Sequence, residues 1–379
     1  MRHNNKKSAA NLNNFFLRLC LVLSAVAGTL FSAACAALPV GNQSQLELIE
    51  TIRNPRRTDF AAVLARTSGL NFVDESGKTP LMYAVERSNA TQIKALIKHG
   101  ADPAIPDTKK GYTALHYAAV MPGSDSLKAI LETGAKADVP GGERIQKKTP
   151  LMEAARLGEV RNVDLLLKHG ADPKNCDARK RTPLMFAASA PKYSARIVKM
   201  LLAKGAERLK ADEDGNTALF MAIKAKNQET ALYLLSLFPN FNKKDANALV
   251  GLAAMKYAID AGNLELVKAI LAKRLPVNMD LSVIYRSLRF ATLEGWYEIL
   301  AENGVIEDGK TPLFWAAAKD QLAIVKYLLE NGADPAARDH AGTSPEDYAR
   351  KRETVRLIKD AAKKKREEQL RQLEKRSQI

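Results

Sequence analysis

Residues 182–188 read TPLMFAA, and near copies of this heptapeptide recur along the chain. The copies are TPLMYAV (79–85), TALHYAA (113–119), TPLMEAA (149–155), TALFMAI (217–223) and TPLFWAA (311–317). The alanine in the sixth position falls at residues 84, 118, 154, 187 and 222, in steps of 33 to 36 residues. A period of this length predicts stacked structural repeats, because one short unit cannot bury its apolar face alone.

The spacing breaks after Ala222, since the next full copy has its alanine at Ala316, 94 residues later. Two looser matches, KYAID around Ala258 and RFATL around Ala291, lie in this gap. A weak final copy, GTSPEDYA, ends at Ala349. We therefore expect about nine units, including the degenerate ones and the caps.

A second signature closes each unit, where a second apolar helical run ends in HGADP (99–103), HGADP (169–173), KGAE (204–207) or NGADP (331–335). Threonine is a good helix N-cap, proline suits the first helical turn, and glycine ends a helix in the left-handed conformation. Together the two signatures resemble the ankyrin-repeat family over roughly residues 46–361. The resemblance implies an all-α solenoid of helix-turn-helix units with β-hairpin fingers, which binds other proteins and catalyses nothing.

The sequence predicts seven segments in order along the chain. They are a signal peptide (1–36), a linker (37–45), N-terminal capping helices (46–73), regular repeats (74–225), degenerate repeats (226–306), a C-terminal repeat with its cap (307–361) and a basic helical tail (362–379).

The N-terminal segment has the features of an export signal. Residues 1–36 carry four basic residues and no acidic ones, and the apolar run LCLVLSAVAGTLF (19–31) is too short for an ordinary membrane span. Cleavage after Ala36 or Ala37 would release a periplasmic or secreted protein of bacterial type. An uncleaved inner-membrane anchor and lipidation at Cys35 are the alternatives. With Cys20 and Cys35 removed, Cys176 stands alone and cannot form an internal disulfide.

The stretch GVIEDGKT (304–311) matches the G-x-x-x-x-G-K-[ST] pattern of phosphate-binding loops. The preceding EILAEN is not a buried β-branched strand, and Pro312 lacks an N–H to offer a phosphate. We interpret Gly304 as a helix C-cap, Gly309 as a turn glycine and Thr311 as the next helix cap, in a finger shortened from twelve residues to seven. The sequence therefore predicts no nucleotide site, and no other cofactor, metal or catalytic arrangement is evident.

The family resemblance places a partner-binding groove at the finger tips and at the exposed ends of the first helices. Carried over residue by residue, the groove contains Lys78, Arg87, Lys109, Tyr112, Met121, Lys148, Arg156, Leu157, Arg179, Arg181, Asn216 and Lys224. Its middle is basic, with Lys147, Lys148, Arg156, Arg179, Lys180 and Arg181 in adjacent units. This charge favours an acidic protein partner, with Tyr112, Met121 and Leu157 as apolar anchors. A solvated basic surface without a partner is the alternative.

Net charge supports a second function class, electrostatic binding of an anionic polymer or membrane surface. The chain carries +16, and residues 350–379 hold 12 basic and 5 acidic residues. Against nucleic acid, aromatic residues for base stacking are sparse at 6%. The long finger KADVPGGERIQKK is expected to project, since 15 residues separate Gly134 from Thr149. The oligomeric state stays open.

Overall fold

A computed structural model describes residues 42–54, 59–241, 247–279 and 309–377. The predicted signal segment with Cys35, the Gly304 turn and the RFATL segment lie outside the described residues. The chain divides into two compact units, residues 1–150 and 151–379, each of which is described by itself. Within the described ranges the regular structure is helical, and no helix there is both long enough and apolar enough to cross a membrane.

The first unit contains α1 (Gln43–Arg53), α2 (Phe60–Arg66), α3 (Pro80–Glu86), α4 (Ala90–Lys98), α5 (Ala114–Val120), α6 (Asp125–Leu131) and a 3-10 helix (Glu143–Ile145). Helix α1 packs against α2 and α3, α3 against α4 and α5, and α6 against α4 and α5. Helix α1 begins three residues before the predicted capping segment, within the predicted linker. Asn42 explains the earlier start, because its side chain and that of Gln45 form a reciprocal capping box.

The second unit contains α7 (Pro150–Leu157, whose first residue lies at the boundary), α8 (Val160–Lys168), α9 (Pro183–Ala188), α10 (Ser194–Ala203), α11 (Ala218–Lys224), α12 (Gln228–Ser236), α13 (Asn247–Asp260), α14 (Leu264–Ala272), α15 (Pro312–Ala318), α16 (Leu322–Glu330), α17 (Pro345–Tyr348) and α18 (Arg352–Ser377). First helices α9, α11, α13, α15 and α17 form one contact series. Second helices α8, α10, α12, α14, α16 and α18 form the other. This two-layer stacking is the predicted repeat solenoid.

The heptapeptide motif builds the interface between neighbouring first helices. Its sixth-position alanine is 0% exposed in seven copies, which lets first helices within a unit approach one another closely. These alanines are Ala84, Ala118, Ala154, Ala187, Ala222, Ala258 and Ala316. The threonine is the N-cap of α3, α5, α9, α11 and α15, as predicted.

The glycine of the G-A-D signature ends each second helix in the left-handed conformation. Gly100, Gly170 and Gly332 have φ values of 94°, 87° and 87°. The next N–H then returns to the helix, as from Ala101 to the Leu96 carbonyl at 3.0 Å. This geometry satisfies carbonyls that would otherwise lack partners at the helix end.

The fingers between successive units are tight turns. In the first, the Asp74 N–H donates to the Lys78 carbonyl at 3.1 Å, and the Asp74 carboxylate accepts from the N–H groups of Ser76 and Lys78. Neighbouring fingers share single backbone hydrogen bonds, such as Thr108 N–H to the Gly77 carbonyl at 3.0 Å. The described residues contain no strand, so the described fingers do not form the expected β-hairpins. The backbone hydrogen bonds within and between these fingers are isolated and do not continue as the paired bonds of a β-sheet.

Repeats on either side of the 94-residue gap are in direct contact. Helix α13 packs against both α11 and α15, and α14 packs against both α12 and α16. We call the contact of α13–α14 with α15–α16 the interrupted seam. Among the described residues no layer lies between these two pairs, and the RFATL segment, predicted as a further unit within the gap, lies outside those residues.

An asparagine bridge shows that the interrupted seam has the regular geometry. Asn71 donates to the Gly100 carbonyl at 3.2 Å and accepts from the Asp102 N–H at 2.8 Å, across 29 and 31 residues. Asn278 makes the same pair of bonds to Gly332 and Asp334, at 3.0 and 2.7 Å, across 54 and 56 residues. The interrupted seam therefore carries 25 additional residues of chain between equivalent contacts.

The finger before α15 was expected to start at Gly304 and to be short. The last described helix before α15 is α14, which ends at Ala272, and Arg274 takes the left-handed position after it with a φ of 61°. Arg274 lies 37 residues before Thr311, whereas Gly170 and Gly205 lie 12 residues before their threonines. Gly304 itself lies outside the described residues, so the seven-residue finger from Gly304 to Thr311 stays a prediction.

Helix α18 closes the array against α16 and α17. Its first turns bury Thr354 and Ile358, at 1% and 0% exposed. From Arg366 to Arg376 every residue is exposed, Leu370 and Leu373 among them. The final motif is truncated, because α17 ends at Tyr348, one residue before Ala349.

Candidate partner-binding groove

An aromatic residue stands fifth in most copies of the heptapeptide, and the structure places basic side chains over these rings. In the first unit Lys78 Nζ lies 5.5 Å from the centre of the Tyr83 ring and 5.3 Å from that of Tyr117. Arg53 approaches the Tyr83 ring from the capping helix, at 5.7 Å. Cations on aromatic faces gain about 0.5–2 kcal/mol, depending on their exposure.

The second unit repeats this arrangement in successive layers. Arg181 lies 4.9 Å from the Phe186 ring, and Lys224 lies 4.6 Å from that of Tyr257. Further along, Lys256 lies over Trp315 at 6.0 Å and Lys310 over Tyr348 at 4.6 Å. The predicted groove did not include these rings, although Y, F or W at the fifth position of four of the six motif copies could have revealed them.

Most of the predicted basic patch is paired with carboxylates. Arg156 lies 2.7 Å from Glu153, Arg181 lies 2.7 Å from Asp177, and both carboxylates are buried. Arg179 pairs with Asp214 at 2.8 Å, Lys147 pairs with Glu143 at 3.0 Å, and Lys78 pairs closely with Glu86. Acidic residues from the same or the next finger therefore offset much of the positive charge in the predicted basic middle, and Lys180 in that middle is exposed.

Tyrosine hydroxyls tie the fingers to the first helices. Tyr83 donates to Asp74 at 2.6 Å, Tyr117 to Asp107 at 3.0 Å and Tyr348 to Asp339 at 2.7 Å. Burial, together with the neighbouring aspartate, raises the pKa of the Tyr83 and Tyr117 hydroxyls. These hydroxyls stay protonated near neutral pH and hold the finger rigidly against the groove wall.

Asn216 and Lys224, both predicted as contact residues, belong to one such cluster. Asn216 is 6% exposed, donates to Asp212 and accepts from Lys224 Nζ at 2.6 Å. Burial lowers the pKa of Lys224 against the opposing attraction of Asp212 and Asp214. Burial likewise raises the pKa of the neighbouring Tyr257 to about 12. Asn216 therefore supports the fold and is not available to a partner.

The remaining predicted contacts of the first unit are accessible to different degrees. Arg87 and Lys109 are exposed, and neither side chain forms an ion pair with any described residue. Tyr112 is half-buried and stacks on His116 with the ring centres 5.6 Å apart, and Met121 is half-buried too. The Lys148 carbonyl accepts from the Gly141 N–H and lies 2.8 Å from His116 Nε2, so this residue holds the long finger in place. In the second unit Leu157 is half-buried.

The long finger was expected to project, yet it folds back on the finger before it. Arg144 Nη1 donates to the Lys109 carbonyl at 2.6 Å, and the Gly142 N–H donates to the Gly111 carbonyl at 2.8 Å. The 3-10 helix takes up the additional residues. Its contact with Lys109 places this finger beside the groove.

The described part of GVIEDGKT has a structural role. Gly309 has a φ of 77°, and a Cβ atom there would lie 2.9 Å from the backbone nitrogen of His340 in the next finger. Thr311 is the N-cap of α15, with Pro312 in the first turn. Glycine is therefore required for finger packing. Elsewhere in the described ranges no group of histidine, cysteine, aspartate and glutamate has the arrangement of a metal site.

Family comparisons agree with this architecture. A model described as ankyrin repeats (3 copies) matches residues 45–141, 136–209, 151–245, 189–283 and 251–339. A second model, ankyrin repeats (many copies), matches residues 313–368. The matches extend over the interrupted seam and into α18.

Curated relatives share the repeats at low identity. The ankyrin repeat protein YahD of Escherichia coli is 28% identical over 200 residues, covering 52% of this chain and 87% of YahD. The fowlpox virus ankyrin repeat protein FPV022 is 26% identical over 58% of this chain and 42% of its own length. The mitochondrial disaggregase of Bos taurus is 29% identical over 42% of this chain and 25% of its own length. The chain thus spans less than half of the last two relatives.

Proposed function

Because the chain belongs to the ankyrin-repeat family, we propose that it is a non-enzymatic module that binds another protein through its finger tips and first helices. Ankyrin repeats generally mediate protein–protein interaction. One observation carries the proposal: the matched repeats run from residue 45 to residue 368.

The groove's chemistry favours a partner with mixed charge and some apolar surface. Several basic residues pair with carboxylates beside aromatic rings, so the groove offers donors and acceptors together. Arg87 and Lys109 add accessible positive charge, and Tyr112 and Met121 add apolar contact. Acidic groups on the partner would meet these two cations. We further propose export of the chain, which the basic, then apolar, N-terminal segment supports.

Helix α18 supports a second candidate function, attraction to an anionic polymer or membrane surface. Lys363, Lys364 and Arg366 are exposed and form no ion pair with described residues. Such binding depends on counterion release and weakens steeply with salt, whereas a mixed protein contact weakens less. A salt titration therefore separates the two functions.

Cross-linking capture from intact cells tests the groove. The bait is the full chain, compared with a variant carrying Arg87→Glu and Lys109→Glu. A matched control carries Lys98→Glu and Arg161→Glu, which make the same charge change at exposed positions on the second helices α4 and α8. We expect one defined protein to be retained by the wild type and the control, and reduced about tenfold by the groove variant. Equal retention by all three, or none by any, would contradict binding through the groove.

A further inference from the structure

The loops that join first and second helices in the second unit carry one cluster of unpaired positive charge, away from the groove. The loop between α9 and α10 carries Lys192, α10 begins with Arg196 in its first turn, and the loop between α11 and α12 carries Lys226. All three are exposed, and in the described chain none of them forms an ion pair. The groove cations Arg156, Arg179 and Arg181, by contrast, are each held by a carboxylate.

The three cations line one cleft of about 480 Å³, which we call the loop cleft. Its walls are residues 190–196 on one side and residues 226–230 on the other. Glu229 is the one acidic residue among these lining residues, so their net charge is positive. A cleft of this size accommodates a few side chains, and its surplus charge attracts carboxylates.

Buried hydrogen bonds hold the two walls of the loop cleft together. Thr230 Oγ1 donates to Ser194 Oγ at 2.8 Å, and Ser194 Oγ donates to the Ala187 carbonyl at 2.7 Å. Asn227 Nδ2 donates to the Ala188 and Ala190 carbonyls at 2.8 and 2.9 Å. The loop cleft therefore exists before anything binds, which lowers the conformational entropy lost on association.

Tyr193 gives the loop cleft an apolar contact. Its side chain is 62% exposed, and its backbone has a φ of 55°, which bulky residues rarely adopt. Pro191, beside it, is also exposed. A strained, exposed aromatic residue beside unpaired cations is the combination found at interface anchors, where tyrosine supplies contact area with little side-chain entropy to lose.

We propose that the loop cleft binds an acidic segment of a partner protein, at a surface separate from the groove. Carboxylates of the segment pair with Lys192, Arg196 and Lys226, and one of its apolar side chains packs on Tyr193. The apolar contact and the repulsive Glu229 carboxylate favour a protein segment over a uniformly charged polymer. This surface does not depend on the groove, so either can fail without the other.

Fluorescence anisotropy with the full chain tests the loop cleft. The probe is a short fluorescein-labelled peptide of glutamates interrupted by leucines, and a glutamate-only peptide is its companion. The loop-cleft variant carries Lys192→Glu, Arg196→Glu and Lys226→Glu. The control carries Lys363→Glu, Lys364→Glu and Arg366→Glu, an equal charge change on exposed residues of α18. We expect affinity to fall at least about tenfold in the loop-cleft variant and less than about twofold in the control.

Tyr193→Ala examines the apolar contact separately from charge. We expect it to weaken the leucine-containing peptide about threefold and to leave the glutamate-only peptide unchanged. Equal losses in the loop-cleft and control variants would overturn the proposal, since net charge alone would then drive binding. Tighter binding of polyphosphate than of the peptide, lost in the loop-cleft variant, would overturn it in favour of a polymer site. Unchanged helical circular dichroism in each variant excludes misfolding as the cause.

Discussion

Two seams in the second unit join repeats by similar contacts but through very different lengths of chain. At the seam between α9–α10 and α11–α12, Asn227 before α12 donates to the Ala188 and Ala190 carbonyls, 39 and 37 residues away. At the interrupted seam, Gln321 before α16 donates to the Ile259 carbonyl at 2.5 Å, 62 residues away. Each bond ties the start of a second helix to the end of the preceding first helix.

The difference between the seams shows that repeats stack through the contacts between their helices. The length of chain that joins two repeats matters much less. Closing a loop becomes only slightly more costly as it lengthens, by about 0.6 kcal/mol per doubling, whereas burying a layer's apolar face is worth several times more. The second unit can therefore carry 25 more residues between two layers and still stack them. In sequence, these additional residues lie between α14 and α15.

Replacing the motif alanines with a larger residue gives the largest expected effect and tests whether the two seams are packed equally well. Ala222 in α11 and Ala316 in α15 are both 0% exposed. Replacing either by leucine forces additional methyl groups between close helices, at a cost of about 2–3 kcal/mol of unfolding free energy. We expect Ala316→Leu to cost as much as Ala222→Leu in urea unfolding followed by circular dichroism.

The control for both alanine variants is Ala61→Leu, at an exposed position of α2, which should cost under about 0.5 kcal/mol. If Ala316→Leu were as harmless as this control, α15 would not be packed on α13 in solution. The interrupted seam would then be open, and the two sides of the gap would behave as separate folding units.

Sequence periodicity predicted the repeats because their chemistry is local. Threonine caps, left-handed glycines and buried alanines each depend on a few neighbouring residues, so TPLMFAA alone marks a layer. The interrupted seam depends on which distant layers touch, and counting in steps of 33 to 36 residues fills every gap with a layer. The contact between α13 and α15 was therefore not predictable from the spacing, and RFATL, which the spacing predicts as a layer, lies outside the described residues.

The sequence predicted where the candidate groove lies, but not which of its basic side chains are paired with carboxylates. Finger tips and first-helix ends follow from the motif, yet the partner of each cation depends on side chains 3 to 35 residues away. Arg156 meets Glu153 three residues before it, whereas Arg179 meets Asp214 in the next finger. Asn216 shows the same limit, because its burial follows from Asp212 and Lys224 closing over it. Counting charges on a repeat surface therefore overestimates its free charge.

Removing the asparagine bridges compares a regular contact with the interrupted seam more directly, although the expected loss of stability is smaller. Asn71→Ala and Asn278→Ala each remove one donor and one acceptor between successive fingers. We expect each substitution to cost about 1–2 kcal/mol, the net worth of two hydrogen bonds, in urea unfolding. A clearly smaller loss for Asn278→Ala would mean that the longer connection weakens the contact. Asn175→Ala serves as the control, because the Asn175 side chain makes no such bridge to any described residue.

Lowering the pH should unfold the layers after the interrupted seam before those preceding it, and we expect this to be the smallest of the effects on stability. Beyond the seam, the pKa of Asp339 is lowered from its ordinary value near 3.8 mainly by the Tyr348 hydroxyl, and that of Asp347 by Ser344. The N–H of Lys351 lowers the pKa of Asp320. A carboxyl whose folded pKa is lowered stabilises the fold above its unfolded pKa, and that stability is lost as pH falls through the folded value.

We therefore expect the last layers to loosen below about pH 4, before the helices as a whole melt. The fluorescence of Trp315, isolated by Trp296→Phe, should change at a higher pH than the circular dichroism, and Asp339→Asn should bring the two transitions together. Coincident transitions in the Trp296→Phe chain itself would show instead that the interrupted seam transmits unfolding as fully as the continuous one.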